Sequence, residues 1–292
     1  MWAVWRKEIK MPIIVNTNMS ALKTQRNLTD ATNGMNKALE RMSTGYKINS
    51  AKDDAANMYI ATNLDVQVSG SKVAKSNIST ASNMLSIAEG DLDVILDNVT
   101  RIRDLTVQAA NGIYDQQSMD ALTDEITKRM EEIDRISEAS NFNGKKLLDG
   151  SMGDVRLQVG ANADEAANCV KIDAAIFSAK DSASLGLDST QITTNYANAT
   201  AAAAYLDTID AAIDNINTAK ANIGAAGNRL DAATDSLTTT IENSTAARST
   251  IMDADIAEEA ANFTQYQILQ QTASSLLVQA NQLPSIALSL IQ

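Results

Sequence analysis

The sequence lacks histidine and has very little cysteine, proline or aromatic residue. Its 292 residues include no His, one Cys and two Pro, and aromatic residues make up 4% of the chain. Without His, the commonest general base is missing, and Ser-His-Asp triads, Cys-His pairs and His-ligated metal sites are excluded. Cys169 has no second cysteine to pair with, so no internal disulfide forms, and we interpret it as a small hydrophobe in a packed site.

The scarcity of proline favours long helices. The two prolines are Pro12 and Pro284, whereas an average usage of about 5% predicts roughly 14 in a chain of this length. The intervening residues are therefore free to form helices without a proline kink. The apolar content depends on Ala rather than on large side chains, which predicts a rod rather than a compact globule.

The formal net charge of −12 argues against nucleic acid and anionic membrane surfaces as partners. No run of 18 or more apolar residues occurs, so no membrane span is predicted. Residues 1–10, MWAVWRKEIK, place their charges after the apolar residues, and we expect no cleaved secretory signal. No residue pattern indicates a cofactor or a catalytic site, so we predict that the chain is not an enzyme.

Capping signals define the first helices. We predict one helix from about Thr17 to Thr44, with Gly45 as its C-terminal cap. The next helix should begin near Ala51, because Ser50 and Asp53 form a weak capping box. The apolar stripe of the first helix consists of Leu28, Met35, Leu39 and Met42. Acidic residues crowd the expected start of the last helix, where the helix dipole favours them: Asp253, Asp255, Glu258 and Glu259.

Three further stripes have coiled-coil spacing. The first consists of Leu85, Ala88, Leu92, Ile95, Val99 and Ile102. After a turn near Asn111-Gly112, the second consists of Leu122, Ile126, Ile133 and Ile136. The third repeats every seven residues at Ile209, Ile216, Ile223, Leu230 and Leu237. Gly224 and Gly227 interrupt it, either as a local weakness or as a site of close helix approach.

A small β region separates the second and third stripes. VRLQVG (155–160) and CVKIDA (169–174) alternate in polarity, which is typical of strands, and Asn143-Gly144 is a tight-turn signal. Residues 178–200 are the best loop candidate. We predict a mainly α fold, a long antiparallel helical rod of coiled-coil-like packing, with the small β region at the end distal to the termini.

Several segments in fixed order resemble the bacterial flagellin family. They are NTNMSAL, LERMSTGYKINSAKDDAA, TRIRDLTVQAAN (100–111), DEITKRMEEIDRI (124–136), NFNGKKLLDG (141–150), LQVGANADE (157–165), SLGL (184–187) and ILQQTASSLLVQANQLPSIALSLI (268–291). The matches cover nearly all of residues 13–292. The resemblance implies a structural subunit of the extracellular bacterial flagellar filament, in a minimal form without large outer domains.

The family organisation implies a division of the chain. By resemblance, residues 11–52 and 253–292 are the inner-tube segments, residues 53–152 and 201–252 are the two halves of the rod domain, and residues 153–200 are the small β and loop region. Relatives begin close to the segment starting at Met11, so residues 1–10 are interpreted as a non-native or misassigned extension.

The resemblance also implies partners. The chain should polymerise with itself, its terminal helices ordering on assembly, and it should meet an export chaperone and the filament cap. The residues expected at the assembly interface are Leu28, Met35, Leu39, Met42, Ile268, Leu269, Leu276, Leu277, Leu283 and Leu290. By match to the family motif, Arg101, Leu105 and Glu125 would contact the Toll-like flagellin receptor of a host. The alternative for these three is solvated charge and packing.

Two other functions remain open at this point. A hook–filament junction protein resembles flagellin at both ends, although NSAKDDAA and QVGAN favour flagellin. A signalling helical hairpin would have a similar composition, but it would need a membrane span or a sensor.

Overall fold

A computed structural model of the chain describes residues 17–188 and 192–289, with the side chains of residues 193, 195 and 283–289 left out. The four long helices are α1 (Met19–Thr44), α2 (Ala55–Ala109), α6 (Ala199–Met252) and α7 (Ile256–Ser289), with a shorter α3 (Gln116–Ala139) between them. The predicted mainly α class is confirmed.

The strands are short and lie between α3 and α6. They are β1 (Asn141–Phe142), β2 (Lys145–Lys146), β3 (Val155–Gln158) and β4 (Cys169–Ile172), and the short helices are α4 (Glu165–Asn168), a 3-10 turn (Ala174–Phe177) and α5 (Ile192–Asn195). β1 pairs with β2 and β3 with β4, both antiparallel. In the second pair, Val155 lies opposite Ile172 and Gln158 opposite Cys169.

The contacts divide the chain into two compact units. We call Met1–Leu64 with Ala246–Gln292 the terminal unit, and Asp65–Thr245 the central unit. The helices α2 and α6 contribute to both units. Each unit is described separately below.

In the central unit, α2 and α6 run antiparallel. The Nζ atom of Lys75 lies 3.0 Å from the Oγ1 atom of Thr238, and the Nε atom of Arg103 lies 2.6 Å from the Oδ1 atom of Asp210. The predicted stripes form the core between α2, α3 and α6, and the fully buried members are Ala88, Leu92, Ile95, Val99, Ile102, Ile126, Ile133, Ile209, Ile216 and Leu230. Apolar burial on this scale is the main stabilising term of the unit.

The sequence predicts that the small β region lies at the end of the rod distal to the termini. Its packing within the central unit shows that this prediction is wrong. A Cβ atom on Gly70 of α2 would lie 2.8 Å from the Cβ atom of Ala161, and Asn77 donates to the carbonyl of Gln158. The β3–β4 hairpin therefore packs beside the start of the unit's α2 segment, not at the turn after Ala109. Its partly buried residues Val155, Leu157 and Val170 cover that part of the core.

Three local predictions also need correction. Asp54 rather than Ser50 caps α2, because its Oδ1 atom accepts from the N–H of Asn57 at 2.9 Å, and the helix begins at residue 55. Cys169 is half-buried and lies 3.1 Å from Oε1 of Gln158, so it occupies a polar site. A Cβ atom on Gly224 or Gly227 would meet nothing within 4 Å, which favours the local weakness over close helix approach.

Candidate self-assembly surface

The terminal unit is built on the antiparallel pair α1 and α7. The Nδ2 atom of Asn18 donates to the carbonyl of Ala280 at 2.7 Å, and Nε2 of Gln270 donates to Oγ1 of Thr32 at 3.1 Å. The apolar side chains buried along this pair are small: Ala31, Ala38, Ala273 and Ala280. Alanine allows the two helices to approach closely, but it removes little apolar area from water.

A half-buried ion pair joins the two helices near the start of α7. The Nη1 atom of Arg41 lies 2.9 Å from Oε1 of Glu259, and their side chains are 28% and 9% exposed. Asp255 caps α7 by accepting the N–H of Ala257 at 2.8 Å. The acidic residues at this helix start therefore supply a cap and a charge partner, in addition to the favourable interaction with the helix dipole that the sequence predicted.

The segment after α1 is held by backbone and charged groups. Gly45 has φ +75°, in the left-handed region where glycine is favoured, and its N–H donates to the carbonyl of Arg41. Tyr46 then forms an isolated antiparallel bridge with Asp253. The ammonium of Lys37, 2.8 Å from Oδ1 of Asp53, and then the hydroxyl of Ser50 lower the pKa of Asp53 to about 2.

The large apolar side chains of α1 and α7 mostly face outward. Within the described part of these helices, side chains between 46% and 67% exposed are Met19, Leu22, Leu39, Ile256, Ile268, Leu269, Leu276 and Val278. Alanines occupy the centre of the α1–α7 contact, and these larger residues keep about half or more of their surface exposed. Exposed apolar surface of this extent marks an interaction site.

The predicted assembly residues fall into three groups. Leu39, Ile268, Leu269 and Leu276 are exposed, and Leu28, Met35, Met42 and Leu277 are half-buried. The side chain of Leu283 and all of Leu290 lie outside the described residues. Sequence reasoning missed Leu22 and Val278, and it missed the alanines, whose spacing of seven in both helices was the available signal.

The three residues expected to contact a host receptor do not share one face. Arg101 and Glu125 form an exposed ion pair, with Nε to Oε1 at 3.0 Å and side chains 43% and 39% exposed. Leu105 is 1% exposed and belongs to the central core. Its place could have been inferred, since it follows Ile102 by three and continues the core stripe of α2.

The comparisons with known proteins agree over nearly the whole chain. The family model of the bacterial flagellin N-terminal helical region matches residues 15–152, and that of the C-terminal helical region matches residues 206–291. The flagellin of Xenorhabdus nematophila is 36% identical, with 97% of this chain and 100% of that protein covered. The flagellin of Halalkalibacterium halodurans is 35% identical, with 96% and 100% covered. The chain belongs to the flagellin family.

A solved structure supports the fold. It is assigned as a flagellar hook-associated protein from Vibrio parahaemolyticus, with a TM-score of 0.55, 19% identity, and coverage of 69% of this chain and 100% of that one. At that identity the likeness concerns the fold alone. It does not favour the hook–filament junction over flagellin.

Membership of the flagellin family makes the chain a structural subunit of the bacterial flagellar filament, a helical polymer used for motility. Residues 153–205 separate the two family regions, which is too short a span for a large outer domain, so this is a minimal form. In residues 17–188 and 192–289, none of the helices combines the length and apolar content that a membrane crossing requires.

Proposed function

We propose that the outward apolar side chains of α1 and α7 are the surface by which copies of the chain join in the filament. The observation that carries this proposal is the different burial of small and large apolar side chains in the terminal unit. The apolar side chains buried between the two helices of one chain are alanines, and most of the large apolar side chains of the pair remain exposed. Their burial between copies would contribute about 25 cal/mol for each Å² of apolar surface removed from water.

The same pattern of burial in α1 and α7 supports folding that is coupled to assembly. In a single copy, α1 and α7 gain little from burying alanines, and isolated helices depend on packing partners for stability. We infer that residues 11–52 and 253–292 become stably helical only when other copies cover them. Residues 53–152 and 201–252 then act as the two halves of the rod, and residues 153–200 as the small β and loop region.

Limited proteolysis tests the folding step. In dilute monomer, we expect cleavage of roughly the first 50 and the last 40 residues, and a stable helical core. In polymer, both ends should be protected. Equal protection of the ends in monomer and polymer would contradict assembly-coupled folding.

A double substitution tests the surface itself. Leu276→Asp with Leu277→Asp places carboxylates at one exposed and one half-buried position of α7, where burial between copies would leave them without partners. We expect loss of filaments in electron micrographs and a folded central unit by circular dichroism. Ile113→Asp with Tyr114→Asp is the matched control, because these adjacent apolar residues are exposed and lie in the central unit. Normal filaments from the Leu variant would refute the proposal.

The remaining partners follow from the family. The chain would reach the filament tip without a cleaved signal peptide, with the help of an export chaperone, and would be placed beneath the filament cap. Because it carries no histidine, we propose that it acts by assembly and not by catalysis. Released monomer would be a ligand for the host Toll-like flagellin receptor through Arg101 and Glu125, with Leu105 supporting the helix from below.

A further inference from the structure

Two cations face each other on the β3–β4 hairpin. Arg156 and Lys171 are directly opposed in the antiparallel pair, and both are exposed. Like charges in directly opposed positions destabilise a strand pair. Arg156 has partial compensation, since its Nε atom lies 3.6 Å from Oε1 of Glu165. Among the described residues, no acid forms an ion pair with Lys171.

A third cation extends this surface. Arg229 of α6 is exposed and lines, with Lys171, a depression of about 430 Å³ beside β4. Two acids, Asp154 and Asp173, border the same depression and keep their charge, and each accepts a backbone N–H at the start of the 3-10 turn with its Oδ1 atom. We call Arg156, Lys171 and Arg229 the hairpin cation surface.

An excess of acidic side chains occurs further along α2. Glu89, Asp93 and Asp97 are exposed and follow one another at steps of four, so their side chains form a column on one side of the helix. Like charges at this spacing destabilise a helix. Lys220 of α6 pairs with Asp93, and Asp93, Glu89 and Asp97 together raise the pKa of Lys220. One lysine thus faces three acids, which we call the α2 acidic column.

We propose that the hairpin cation surface of one copy binds the α2 acidic column of a second copy. Directly opposed residues on paired strands have Cβ atoms about 5 Å apart, and helix residues four apart have Cβ atoms about 5–6 Å apart. The two cations of the hairpin therefore match the spacing of two successive acids of the column, Glu89 with Asp93 or Asp93 with Asp97. Asp93 already pairs with Lys220, so the acid left to the hairpin in each case is Glu89 or Asp97. The contact relieves like-charge repulsion on both copies.

The geometry of this contact produces a chain of subunits. Both surfaces belong to the central unit, but they lie at different places along α2. Asn77, which donates to β3, and Asp93 are separated by roughly 24 Å at 1.5 Å per residue. A contact between two different patches is heterologous and extends into a polymer unless it closes into a ring. This inference rests on the proposed self-assembly and adds a second contact to it.

Charge reversal on each surface tests the pairing. The first variant is Arg156→Glu with Lys171→Glu, and the second is Glu89→Lys with Asp97→Lys, which leaves the Asp93–Lys220 pair in place. Each variant alone would present two surfaces of the same sign. We expect the critical concentration for polymerisation of either variant to rise at least about tenfold over wild type.

The mixture gives the decisive measurement. In an equimolar mixture, the hairpin of the first variant meets the reversed column of the second, and the native hairpin of the second meets the native column of the first. We expect the mixture to polymerise near the wild-type concentration, with the two variants alternating. Sedimentation and electron microscopy measure the polymer, and thermal unfolding of each monomer checks its fold.

A matched control separates pairing from net charge. Lys128→Glu with Lys145→Glu makes the same change in net charge as the first variant on exposed residues outside both surfaces, and it should polymerise normally. Normal polymer from either reversed variant alone, or none from the mixture of folded variants, would overturn the inference. If a reversed variant unfolds, Arg156→Gln with Lys171→Gln must raise the critical concentration, and no rise would equally overturn it. Failure of wild type and control to polymerise would instead refute the proposed self-assembly.

Discussion

Gly34 of α1 lies directly against the ring of Tyr266 of α7. A Cβ atom on Gly34 would be 2.5 Å from Cε1 of Tyr266, closer than real contacts allow. We predict that Gly34→Ala pushes the ring out of place and destabilises the α1–α7 pair by about 1–3 kcal/mol, as overpacking does elsewhere. The expected result is filaments that dissociate at a lower temperature than wild type, measured by light scattering.

The same substitution should have the opposite effect in the central unit. A Cβ atom on Gly224 or Gly227 has open space around it, and both glycines lie inside α6. We predict that Gly224→Ala and Gly227→Ala each stabilise the unit by about 0.5–1 kcal/mol, because alanine favours helix more than glycine does. Thermal unfolding by circular dichroism measures this. A lower midpoint for either variant would indicate a packing role for the glycine.

A hydrogen bond in the central core offers a second test. The hydroxyl of Thr106 donates to the carbonyl of Ile102 at 2.7 Å, so the hydroxyl of Tyr196, 2.6 Å away, donates to Thr106. Thr106→Val would leave the buried Tyr196 hydroxyl without an acceptor, at a cost of about 1–3 kcal/mol. Adding Tyr196→Phe removes that unpaired donor.

We therefore predict that the double variant Thr106→Val with Tyr196→Phe loses less stability than the two single losses added together, by about 1 kcal/mol. Urea unfolding of the four proteins gives the coupling. Burial also raises the pKa of Tyr196 to about 12, so the hydroxyl stays a donor throughout the usual pH range. Strict additivity would show that the hydrogen bond contributes nothing specific.

Lys180 supplies a prediction about pH. It is 2% exposed, its ammonium donates to Oγ of Ser178 at 2.7 Å and to Oδ1 of Asn215 at 2.8 Å, and burial lowers its pKa below 10.5. The folded state therefore disfavours the charged form. This penalty is fully present at neutral pH and disappears as pH rises from the lowered pKa to the ordinary value.

We predict that Lys180→Met is at least as stable as wild type at pH 7, because a methionine of similar size needs no charge solvation. Wild type should gain stability relative to this variant as pH approaches 10.5. Urea unfolding at several pH values measures the difference. A constant difference across this range would show that Lys180 carries no burial penalty.

The proposed receptor contact predicts a separation of functions. The Arg101–Glu125 pair is exposed, and such pairs contribute only about 0–1 kcal/mol, so Arg101→Ala should fold and polymerise normally. Signalling by released monomer in reporter cells should weaken. Arg135→Ala is the control, because Arg135 is also exposed and paired, 2.6 Å from Glu132. Equal signalling by the two variants would remove Arg101 from the contact.

Regular spacing made the central core predictable from sequence. Leu92, Ile95 and Val99 follow one another at steps of three and four, and each is fully buried. Burial could be predicted there because a repeated apolar face has to meet another one. The strands β3 and β4 were likewise visible as alternating segments, since alternation places one side of a strand on the core.

The position at which one element packs against another could not be predicted in the same way. The β3–β4 hairpin could have packed at either end of α2, because its small and polar residues fit many helix faces. Its actual position depends on the close approach of Ala161 to Gly70, which no periodicity reports. The capping role of Asp54 was missed for a similar reason, since Asp53 and Asp54 are adjacent and only geometry distinguishes them.

The alanine contact between α1 and α7 leaves open how the two helices avoid slipping past one another. Alanines recur every seven residues in both helices, so a shift by two turns would exchange one methyl contact for an equivalent one. Tyr266 prevents this, because it stands one repeat before Ala273 and needs a glycine opposite, and α1 contains a single glycine. The rigid ring of Tyr266 fits only opposite Gly34, and this contact sets the register of the α1–α7 pair. Each copy therefore enters the filament with its two terminal helices aligned in the same way.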